Sequence, residues 1–321
     1  MLFRQLEYFV ALAREQHFAR AAAASFVSQP ALSSAIHKLE QELNVTLINR
    51  GHAFQGLTPE GDRLVIWAKR ILAEHDAFKA EVKAVQSGLT GTLRIGTIPT
   101  ASTTVSLAVE AFAALHPLAK VRIQTRLATD ELVRMLSDFE LDAVVMASGP
   151  AKEAGFETVL LYDEHYVLIV PQELLADRQT SMPWADAHSL PLAMLDQRMR
   201  SRKLVDQAFA EKGLIIEPQV ETDSIASLYA LVGTGRWASI VPRTWLFSRV
   251  APSASNIVTM AEPVARQTLV VAINSNEPGS PVARSFAETA AALDLNEFFA
   301  IGFSSGLEGA QSDSWRLSTG R

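Results

Sequence analysis

The sequence predicts a chain built from a winged helix-turn-helix domain, one long helix and an α/β domain. Three observations carry this prediction. Apolar residues recur at helical spacing through residues 2–43, and a second, uninterrupted helical pattern runs from Pro59 to about Ser87. Beyond a breaker at residues 87–91, short apolar runs alternate with helical patterns. That alternation is typical of a mostly parallel, doubly wound sheet.

Length and composition limit the class of protein. The 321 residues are enough for two or three domains, and 48% hydrophobic with 20% charged residues is an ordinary globular composition. The chain contains no cysteine, which excludes a disulfide scaffold, a thiolate metal site, a cysteine nucleophile and thiol-based redox sensing. A net charge of -6 argues against a protein that coats nucleic acid by bulk charge, but a local basic face stays open.

The N-terminal segment gives no sign of a targeting sequence, because Arg4, Glu7, Arg14 and Glu15 interrupt any apolar run. The longest apolar runs, such as residues 166–171, are too short to span a bilayer. We therefore expect a soluble, cytoplasmic protein with no membrane partner.

The first 43 residues have the pattern of a helix-turn-helix unit. The spacing predicts a helix over residues 2–13, a short Ala-rich helix over 18–25, and a turn at Phe26 and Val27. Ser28 is a good N-cap for a third helix, with Pro30 in its first turn. Opposite the apolar stripe of that helix lies a small polar face, formed by Ser33, Ser34, His37 and Lys38. Helix-turn-helix proteins enter the major groove with such a face.

Residues 45–49 and 53–58 predict a short hairpin around Gly51 and Gly56, which would be the wing of a winged helix. Thr58 as N-cap and Pro59 at the first position then open the next helix. The pattern alone leaves two interpretations of residues 1–60 open, a DNA-binding head and a helical packing module without a ligand. Charge does not decide between them, since five Lys and Arg residues balance five Glu residues in this segment.

The long helix carries an apolar stripe with 4,3 spacing. Its members are Leu64, Ala68, Ile71, His75, Phe78, Val82 and Val85. So narrow a stripe on so long a helix favours pairing with the same helix of a second protomer. The alternative is a helix that packs on its own domain. His75 occupies an a position, where a polar residue can fix the register of a helix pair at some cost in stability.

The second half of the chain is predicted to be α/β. The pattern indicates a strand at 93–96, a helix at 105–115, a strand at 121–125, a helix at 130–137 and a strand at 143–147. Further strands are predicted at 166–171, 191–195 and 269–274, and further helices at 203–212, 225–231 and 282–293.

Five collinear runs in the first 61 residues resemble the DNA-binding domain of LysR-type transcriptional regulators. These runs are LEYFVALA at 6–13, FARAA at 18–22, VSQPALS at 27–33, IHKLE at 36–40 and LTPEG at 57–61. The resemblance implies a winged helix-turn-helix that binds double-stranded DNA, and it favours the DNA-binding interpretation over the packing module. It also implies that the long helix is a linker helix that pairs protomers.

The resemblance places nine residues at the DNA, namely Arg20, Ser28, Gln29, Pro30, Ser33, Ser34, His37, Lys38 and Arg50. Gln29 can pair with both hydrogen-bonding groups of an adenine edge, and Pro30 can contact a thymine methyl. Arg50 corresponds to an arginine of the wing, and Arg20 to a phosphate contact. The family often has a hydroxyl residue at Ala19 and arginine at Ser34 and His37. Because each departure removes a contact, we expect weak, salt-dependent binding per protomer, strengthened by linking several heads in one oligomer.

Three motifs in the second half resemble the effector-binding domain of the same regulators, which is similar to type 2 periplasmic binding proteins. They are LRIG at 93–96, LDAVV at 141–145, and the segment from Gly235 to SIVP at 239–242. The resemblance implies two α/β subdomains with a ligand cleft between them, at the carboxyl ends of strands. The expected division is a head at 1–58, a linker helix at 59–88, an effector domain at 89–300 and a disordered tail at 301–321. Subdomain I would comprise 92–161 and 266–300, and subdomain II 162–265.

Five residues are candidates for binding an effector in this cleft, namely Thr100, Ser102, Thr129, Arg198 and Arg200. The three hydroxyl residues follow the ends of two predicted strands, and the two arginines come from the opposite subdomain. Hydroxyls, helix N-termini and an arginine together favour a small carboxylate or other anion. The alternatives are plain N-capping for each hydroxyl residue and a solvated loop for each arginine.

No enzyme signature accompanies these features. The seven histidines form neither an H-x₃-H pair nor HExxH, and no Walker A run, G-x-S-x-G or complete dinucleotide fingerprint occurs. We predict no catalytic residue, cofactor or metal. The remaining alternative to a regulator is a small-molecule-binding protein whose N-terminal half serves only for assembly. The resemblance implies a homodimer that assembles into a homotetramer on an interrupted dyad operator, with RNA polymerase as a further partner. The sequence does not choose between activation and repression.

Overall fold

The computed structural model describes residues 1–50, 54–175, 180–247, 255–275 and 279–304. The N-terminal head consists of α1 (Phe3–Glu15), α2 (Phe18–Ala24), α3 (Gln29–Leu43), β1 (Ile48–Arg50) and β2 (Phe54–Leu57). The two strands pair antiparallel as a hairpin, whose tip at 51–53 lies outside the described residues. The predicted winged helix-turn-helix is confirmed.

One apolar core holds the three helices of the head together. Phe9 and Leu12 of α1 and Leu32 and Ile36 of α3 are at most 1% exposed. Burial of this size contributes roughly 1.5–3 kcal/mol for each large side chain. Ser28 caps α3 as predicted, with its hydroxyl accepting the Ala31 amide at 3.4 Å. The stripe and the cap together fix which face of α3 points outward.

The long helix α4 (Pro59–Ser87) begins in close contact with the wing. The Thr58 hydroxyl accepts the Gly61 amide at 2.9 Å and donates to the Thr46 carbonyl at 2.6 Å. A Cβ on Gly61 would lie 2.1 Å from the carbonyl oxygen of Leu47. Glycine is therefore required at this position, because the first turn of α4 touches the chain that enters the wing.

Four of the seven residues of the predicted dimerisation stripe pack on the head of their own chain. Ala68 is 2% exposed, Leu64 and Ile71 pack against the head core, and His75 stacks on a ring of α1. The alternative of a helix packed on its own domain is therefore correct for these four positions. Phe78 and Val82 are 69% and 44% exposed, and their pairing role stays a prediction. The side chain of Val85 lies outside the described residues.

The effector domain begins with a β-α-β-α-β pattern, as predicted. Its elements are β3 (Gly91–Thr97), α5 (Val105–Leu115), β4 (Ala119–Gln124), α6 (Thr129–Ser137), β5 (Ala143–Ala147), α7 (Ser148–Glu153) and β6 (Glu157–Pro171). Strands β3, β4 and β5 are parallel, with β4 at the edge. The carboxyl ends of β3 and β4 therefore meet at one edge of the sheet, where α5 and α6 begin.

A second subdomain follows β6. Its elements are β7 (Ser181–Met182), α8 (Trp184–His188), β8 (Ala193–Leu195), α9 (Arg200–Ala210), β9 (Val220–Thr222), α10 (Ile225–Gly233), β10 (Ser239–Pro242) and β11 (Ser255–Met260). The chain returns through β12 (Arg266–Ile273), α11 (Pro281–Ala291) and α12 (Leu295–Ser304).

The long strand β6 belongs to both subdomains. Its first half pairs with β12, and its second half pairs with β10 and β11, all antiparallel. The predicted boundary at 161/162 falls inside this strand. The main sheet is mixed rather than mostly parallel, because the chain leaves subdomain I on β6 and returns on β12 in the opposite direction. One apolar cluster lies in subdomain I and two lie in subdomain II, and the predicted α/β fold with a helix-turn-helix head is confirmed.

The C-terminal helix α12 continues through Ser304, past the predicted start of the tail at 301. The tail prediction for 305–321 lies outside the described residues. In the part of the chain that the structure describes, no helix combines the length and apolar character needed to cross a membrane.

Candidate functional site

The outer face of α3 stands free of the rest of the chain. Ser28, Gln29, Pro30, Ser34 and Lys38 are exposed, while the opposite side of the same helix is buried in the head core. Ser33 is half-buried at the edge of this face. The polar face therefore has the access that contact with a DNA groove requires.

His37 is exposed on the same face and has neighbours within α3. Its Nε2 lies 3.1 Å from Gln41 Nε2, and its Nδ1 lies 3.6 Å from Glu40. The Glu40 carboxylate is itself buried, where it accepts the amides of Leu47 at 2.9 Å and Ile48 at 3.3 Å. Glu40 thus anchors the start of the wing to α3, a role the sequence did not reveal because Glu40 lies between two exposed charged residues, Lys38 and Glu42.

The other two predicted DNA contacts flank this face. Arg20 lies in the first turn of α2 with a side chain 65% exposed, and its guanidinium donates to the Glu15 carbonyl at 2.6 Å. His17 caps α2, with Nδ1 accepting the amides of Ala19 and Arg20. Arg50 ends β1, but its side chain lies outside the described residues.

Two contacts join the subdomains across the predicted cleft. The indole N–H of Trp245 donates to the carbonyl of Thr100 at 2.9 Å. Arg126, which precedes α6, lies 3.8 Å from Asp223, which precedes α10. The first contact is buried, while both side chains of the second are mostly exposed.

The three hydroxyl candidates lie at the carboxyl edge of β3 and β4. Thr100 is 3% exposed, and neither its hydroxyl nor the buried hydroxyl of nearby Thr103 has a hydrogen-bond partner in the described structure. Ser102 follows Thr100 and is half-buried, as is Thr129 at the first position of α6. The N-capping alternative does not apply, because α5 and α6 are capped by other residues, Thr104 and Ala128, without a side-chain bond.

The two arginine candidates differ in their surroundings. Arg198 lies in the turn before α9 and binds Asp196 through two hydrogen bonds, at 2.8 and 2.9 Å. These bonds lower the pKa of the Asp196 carboxyl to about 2. Arg200 is the first residue of α9 rather than part of the loop, and it makes no ion pair with any residue that the structure describes. Its guanidinium is therefore the one of the two that is available to an anion.

A buried carboxyl group that the sequence did not point to lies where the strands cross between the subdomains. Glu164 on β6 is fully buried and accepts hydrogen bonds from Gln267 at 2.6 Å, Thr244 at 3.2 Å and Tyr166 at 3.3 Å. Burial raises its pKa to about 7, although these hydrogen bonds oppose the shift. Burial also raises the pKa of Tyr166 well above its usual range, and the positive charge of Arg200 opposes that shift. Glu164 and Arg200 thus belong to one electrostatic neighbourhood.

Tyr162 extends this network toward subdomain I. Its hydroxyl lies 2.7 Å from that of Thr104 at the start of α5. The residues found at the cleft only in the structure are Arg126, Tyr162, Glu164, Asp223, Thr244, Trp245 and Gln267. From the sequence, only Glu164 could have been suspected, because it is an acidic residue in a predominantly apolar strand. A buried acidic residue needs hydrogen-bonding partners. Within the same described part, no group of three or more histidine, aspartate or glutamate side chains is placed to hold a metal ion.

Comparison with known families gives two matches that together span most of the chain. Residues 3–62 match the bacterial regulatory helix-turn-helix protein model of the lysR family. Residues 86–294 match the LysR substrate binding domain.

Several named proteins are similar over nearly the full length. A probable hydrogen peroxide-inducible genes activator of Streptomyces viridosporus is 31% identical over 90% of this chain and 92% of its own length. The DNA-binding transcriptional dual regulator OxyR of Escherichia coli is 30% identical over 91% and 95%.

Solved structures agree with this likeness. A full-length OxyR of Pseudomonas aeruginosa with a cysteine replaced by aspartate is 26% identical, with a TM-score of 0.74 over 92% of this chain and 97% of that one. CbnR in complex with its target DNA shares the fold at 24% identity, with a TM-score of 0.62 over 90% and 99%.

Proposed function

The chain belongs to the LysR family of bacterial DNA-binding transcriptional regulators, and we propose that a small effector in the cleft controls how it reads operator DNA. The observation that carries the DNA half of this proposal is the exposed polar face of α3 on a fully buried apolar stripe. The alternative in which the N-terminal half serves only for assembly is set aside, because residues 3–62 match a family of regulatory DNA-binding heads. Since the DNA of bacteria lies in the cytoplasm, the proposed site of action lies there as well.

The nine predicted DNA contacts divide into reading and positioning roles. Gln29 and Pro30 open α3 and would read base edges, while Arg20 and Arg50 would hold phosphates. The exposed members of the α3 face between them, Ser28, Ser34, His37 and Lys38, together with the half-buried Ser33, would complete the contact surface.

Gel-shift titration tests this division with the DNA upstream of the chain's own gene and with random duplex. Gln29→Ala should reduce the preference for the upstream DNA about tenfold, whereas Arg20→Ala should weaken both complexes alike. Gln172→Ala, an exposed glutamine of the effector domain, is the matched control and should leave both unchanged. Equal losses of preference from Gln29→Ala and Arg20→Ala would contradict the assigned roles.

For the effector, we propose a carboxylate or another small anion held between Thr100, Ser102 and Thr129 on one side and the arginines on the other. The support is the unpartnered, buried hydroxyls of Thr100 and Thr103 together with the unpaired charge of Arg200. Because a buried polar group without a partner costs roughly 1–3 kcal/mol, a ligand that hydrogen-bonds these hydroxyls stabilises the closed cleft. Arg198 takes part only if it leaves Asp196.

Thermal unfolding in the presence of acetate, benzoate or succinate tests this assignment, and each carboxylate is compared with its neutral amide. At least one carboxylate should raise the Tm of the full chain while its amide does not, and Arg200→Gln should abolish the shift. Arg236→Gln, a second exposed arginine of the same subdomain, is the control. A shift that persists in Arg200→Gln, or amides that act as well as acids, would overturn the anion assignment.

For assembly, we propose a homodimer through α4 and a homotetramer through the effector domains. Among the α4 side chains that the structure describes, the large apolar ones that are exposed are Ile66, Trp67, Phe78 and Val82, which differ in part from the predicted stripe. At the sheet edge, Leu115, Leu118 and Ile123 are exposed on and beside β4. An exposed edge strand with apolar neighbours is a surface to which a second copy can add. Four heads linked in this way would bind an interrupted dyad and present the assembly to RNA polymerase.

The signal itself must differ from thiol oxidation. Relatives such as the Streptomyces viridosporus protein carry the name of hydrogen peroxide-inducible activators, but this chain has no cysteine to oxidise. We therefore propose that a bound molecule, rather than a thiol-disulfide change, shifts this regulator between its two states. Its differential affinity for the two states sets the size of the response.

A further inference from the structure

The linker helix is tied to subdomain I by a cluster of opposite charges. The ammonium group of Lys69 on α4 lies 3.0 Å from Asp138 and 2.9 Å from Glu140, both of which follow α6. Arg134 of α6 lies 3.4 Å from the same two carboxylates. The Lys69 side chain is only 18% exposed. Burial opposes its charge, but the bonds to Glu140 and Asp138 outweigh that effect and raise the pKa of Lys69.

A cavity separates part of the head and linker helix from subdomain I. Its volume is about 1230 Å³, and Lys69 lines it together with Val10, Leu72, Arg94 and Arg122. A further ion pair of α4 with this domain, between Glu81 and Arg284, is long at 3.9 Å and exposed. The contacts of Lys69 are shorter and less exposed than this pair, so the charges around Lys69 supply a specific attachment of α4.

Helix α6, which ends at this attachment, begins at the predicted cleft between the subdomains. Its first residue, Thr129, follows the loop that pairs Arg126 with Asp223 of subdomain II, and its C-terminal cap is Asp138. The helix is seated directly on β3, because Gly96 leaves room for its Leu132. A Cβ on Gly96 would lie 2.6 Å from the Leu132 side chain. A short helix packed this closely moves as one body, so a shift at its N-terminus displaces its C-terminus.

We propose that Lys69 positions the DNA-binding head relative to the effector domain by holding α4 to the C-terminal end of α6. A change at the cleft then reaches the linker helix through one nine-residue helix and one lysine. The cleft end of this path rests on the proposed effector site, whereas the docking of α4 through Lys69 does not.

The absence of native cysteines allows a direct distance measurement in the full chain. Spin labels are attached at Gln41→Cys in the head and Glu153→Cys in subdomain I, both exposed, and labelled chains are diluted in unlabelled chains so that only intramolecular pairs contribute. Pulsed electron resonance should give one narrow distance distribution. Lys69→Gln should broaden this distance distribution at least twofold. In 1 M NaCl the distribution of the unsubstituted chain should broaden in the same way, because the Debye length falls to about 3 Å.

The controls separate this proposal from misfolding and from the effector proposal. Lys79→Gln changes an exposed lysine of the same helix and should keep the narrow distribution. The double variant Lys69→Glu with Glu140→Lys, which exchanges the two charges, should give a narrower distance distribution than Lys69→Gln. If Lys69→Gln keeps the narrow distribution, the docking proposal is overturned, whatever the cleft binds. If Lys69→Gln broadens it but no carboxylate shifts the Tm, docking stands and only the anion assignment fails.

Discussion

The imidazole ring of His75 stacks on the phenyl ring of Phe3, with centroids 3.8 Å apart and planes inclined by 17°. This contact joins the middle of the linker helix to the first turn of the head. It lies on the same side of α4 as Ala68, which is buried in the head core. Beyond His75 the helix leaves the head, and Phe78 and Val82 turn their side chains outward. The linker helix therefore has two parts, one that packs on the head and one whose large apolar side chains are exposed.

Substitutions on the two parts should separate stability from assembly. His75→Ala removes the stacked pair and should lower the free energy of unfolding of the head by about 1 kcal/mol while leaving the oligomeric state unchanged. Phe78→Glu places a charge on the exposed part and should shift the chain toward monomers with little loss of stability. Sedimentation velocity and urea unfolding of both variants measure the two effects. Assembly that survives Phe78→Glu but fails in His75→Ala would reverse the assignment.

The start of the linker helix should tolerate no side chain at Gly61. Gly61→Ala brings a methyl group within 2.1 Å of the Leu47 carbonyl oxygen, so α4 must move away from the wing. We expect a loss of about 1–3 kcal/mol in the free energy of unfolding of the head, together with weaker operator binding. The matched control is Gly149→Ala in α7, where a Cβ meets nothing within 4 Å. Thermal unfolding of the two variants decides the point, and equal Tm values would count against the proposed close approach.

Strongly periodic or wholly apolar segments were predictable to the residue. The helix at Val105–Leu115 and the strand at Ala143–Ala147 have the predicted bounds, because the helix buries one periodic face in the core of subdomain I and the strand is buried throughout. The long strand β6 was predicted only for its apolar second half. Its first half carries Asp163, Glu164 and His165, and a pattern of hydrophobicity treats such residues as solvated.

The candidate site also has a part that the sequence predicts and a part that it does not. Which face of α3 stays free follows from a periodic stripe and could be predicted from the sequence. The environment of Glu164 could not, since its partners Thr244 and Gln267 are 80 and 103 residues away along the chain. Nor does the pattern show that Arg198 is held by Asp196 while Arg200 is not. Long-range hydrogen bonds, rather than local propensity, decide which polar groups remain available to a ligand.

Hydrogen peroxide should leave the operator complex unchanged. Thiol oxidation cannot occur in a chain without cysteine, and the seven methionines are the remaining oxidisable sulfur groups. Footprints on the upstream DNA, taken before and after peroxide treatment that mass spectrometry shows to leave methionine intact, should superimpose. A shifted footprint with every methionine unmodified would contradict this expectation and would point to peroxide acting as a bound ligand.

Stability should fall with rising pH between about 4.5 and 7 on account of Glu164. Its pKa is about 7 in the folded chain against 4.5 for a free carboxyl, so the folded state holds a proton that the unfolded state has lost. Wherever the folded state binds more protons, the free energy of unfolding decreases as pH rises. The contribution is fully present below pH 4.5 and is gone above pH 7.

Glu164→Gln removes this titration while keeping a hydrogen-bonding side chain of the same shape. Urea unfolding of the full chain at pH 5, 6, 7 and 8 should show the unsubstituted protein losing about 1–3 kcal/mol relative to Glu164→Gln, at up to about 1.4 kcal/mol per pH unit. Glu217→Gln removes an exposed carboxyl of the same subdomain and controls for the general effect of removing an acid. Its unfolding free energy should depend on pH in the same way as that of the unsubstituted chain. If the Glu164→Gln curve runs parallel to that of the unsubstituted chain as well, then Glu164 is ionised throughout, and the hydrogen bonds from Gln267, Thr244 and Tyr166 outweigh its burial.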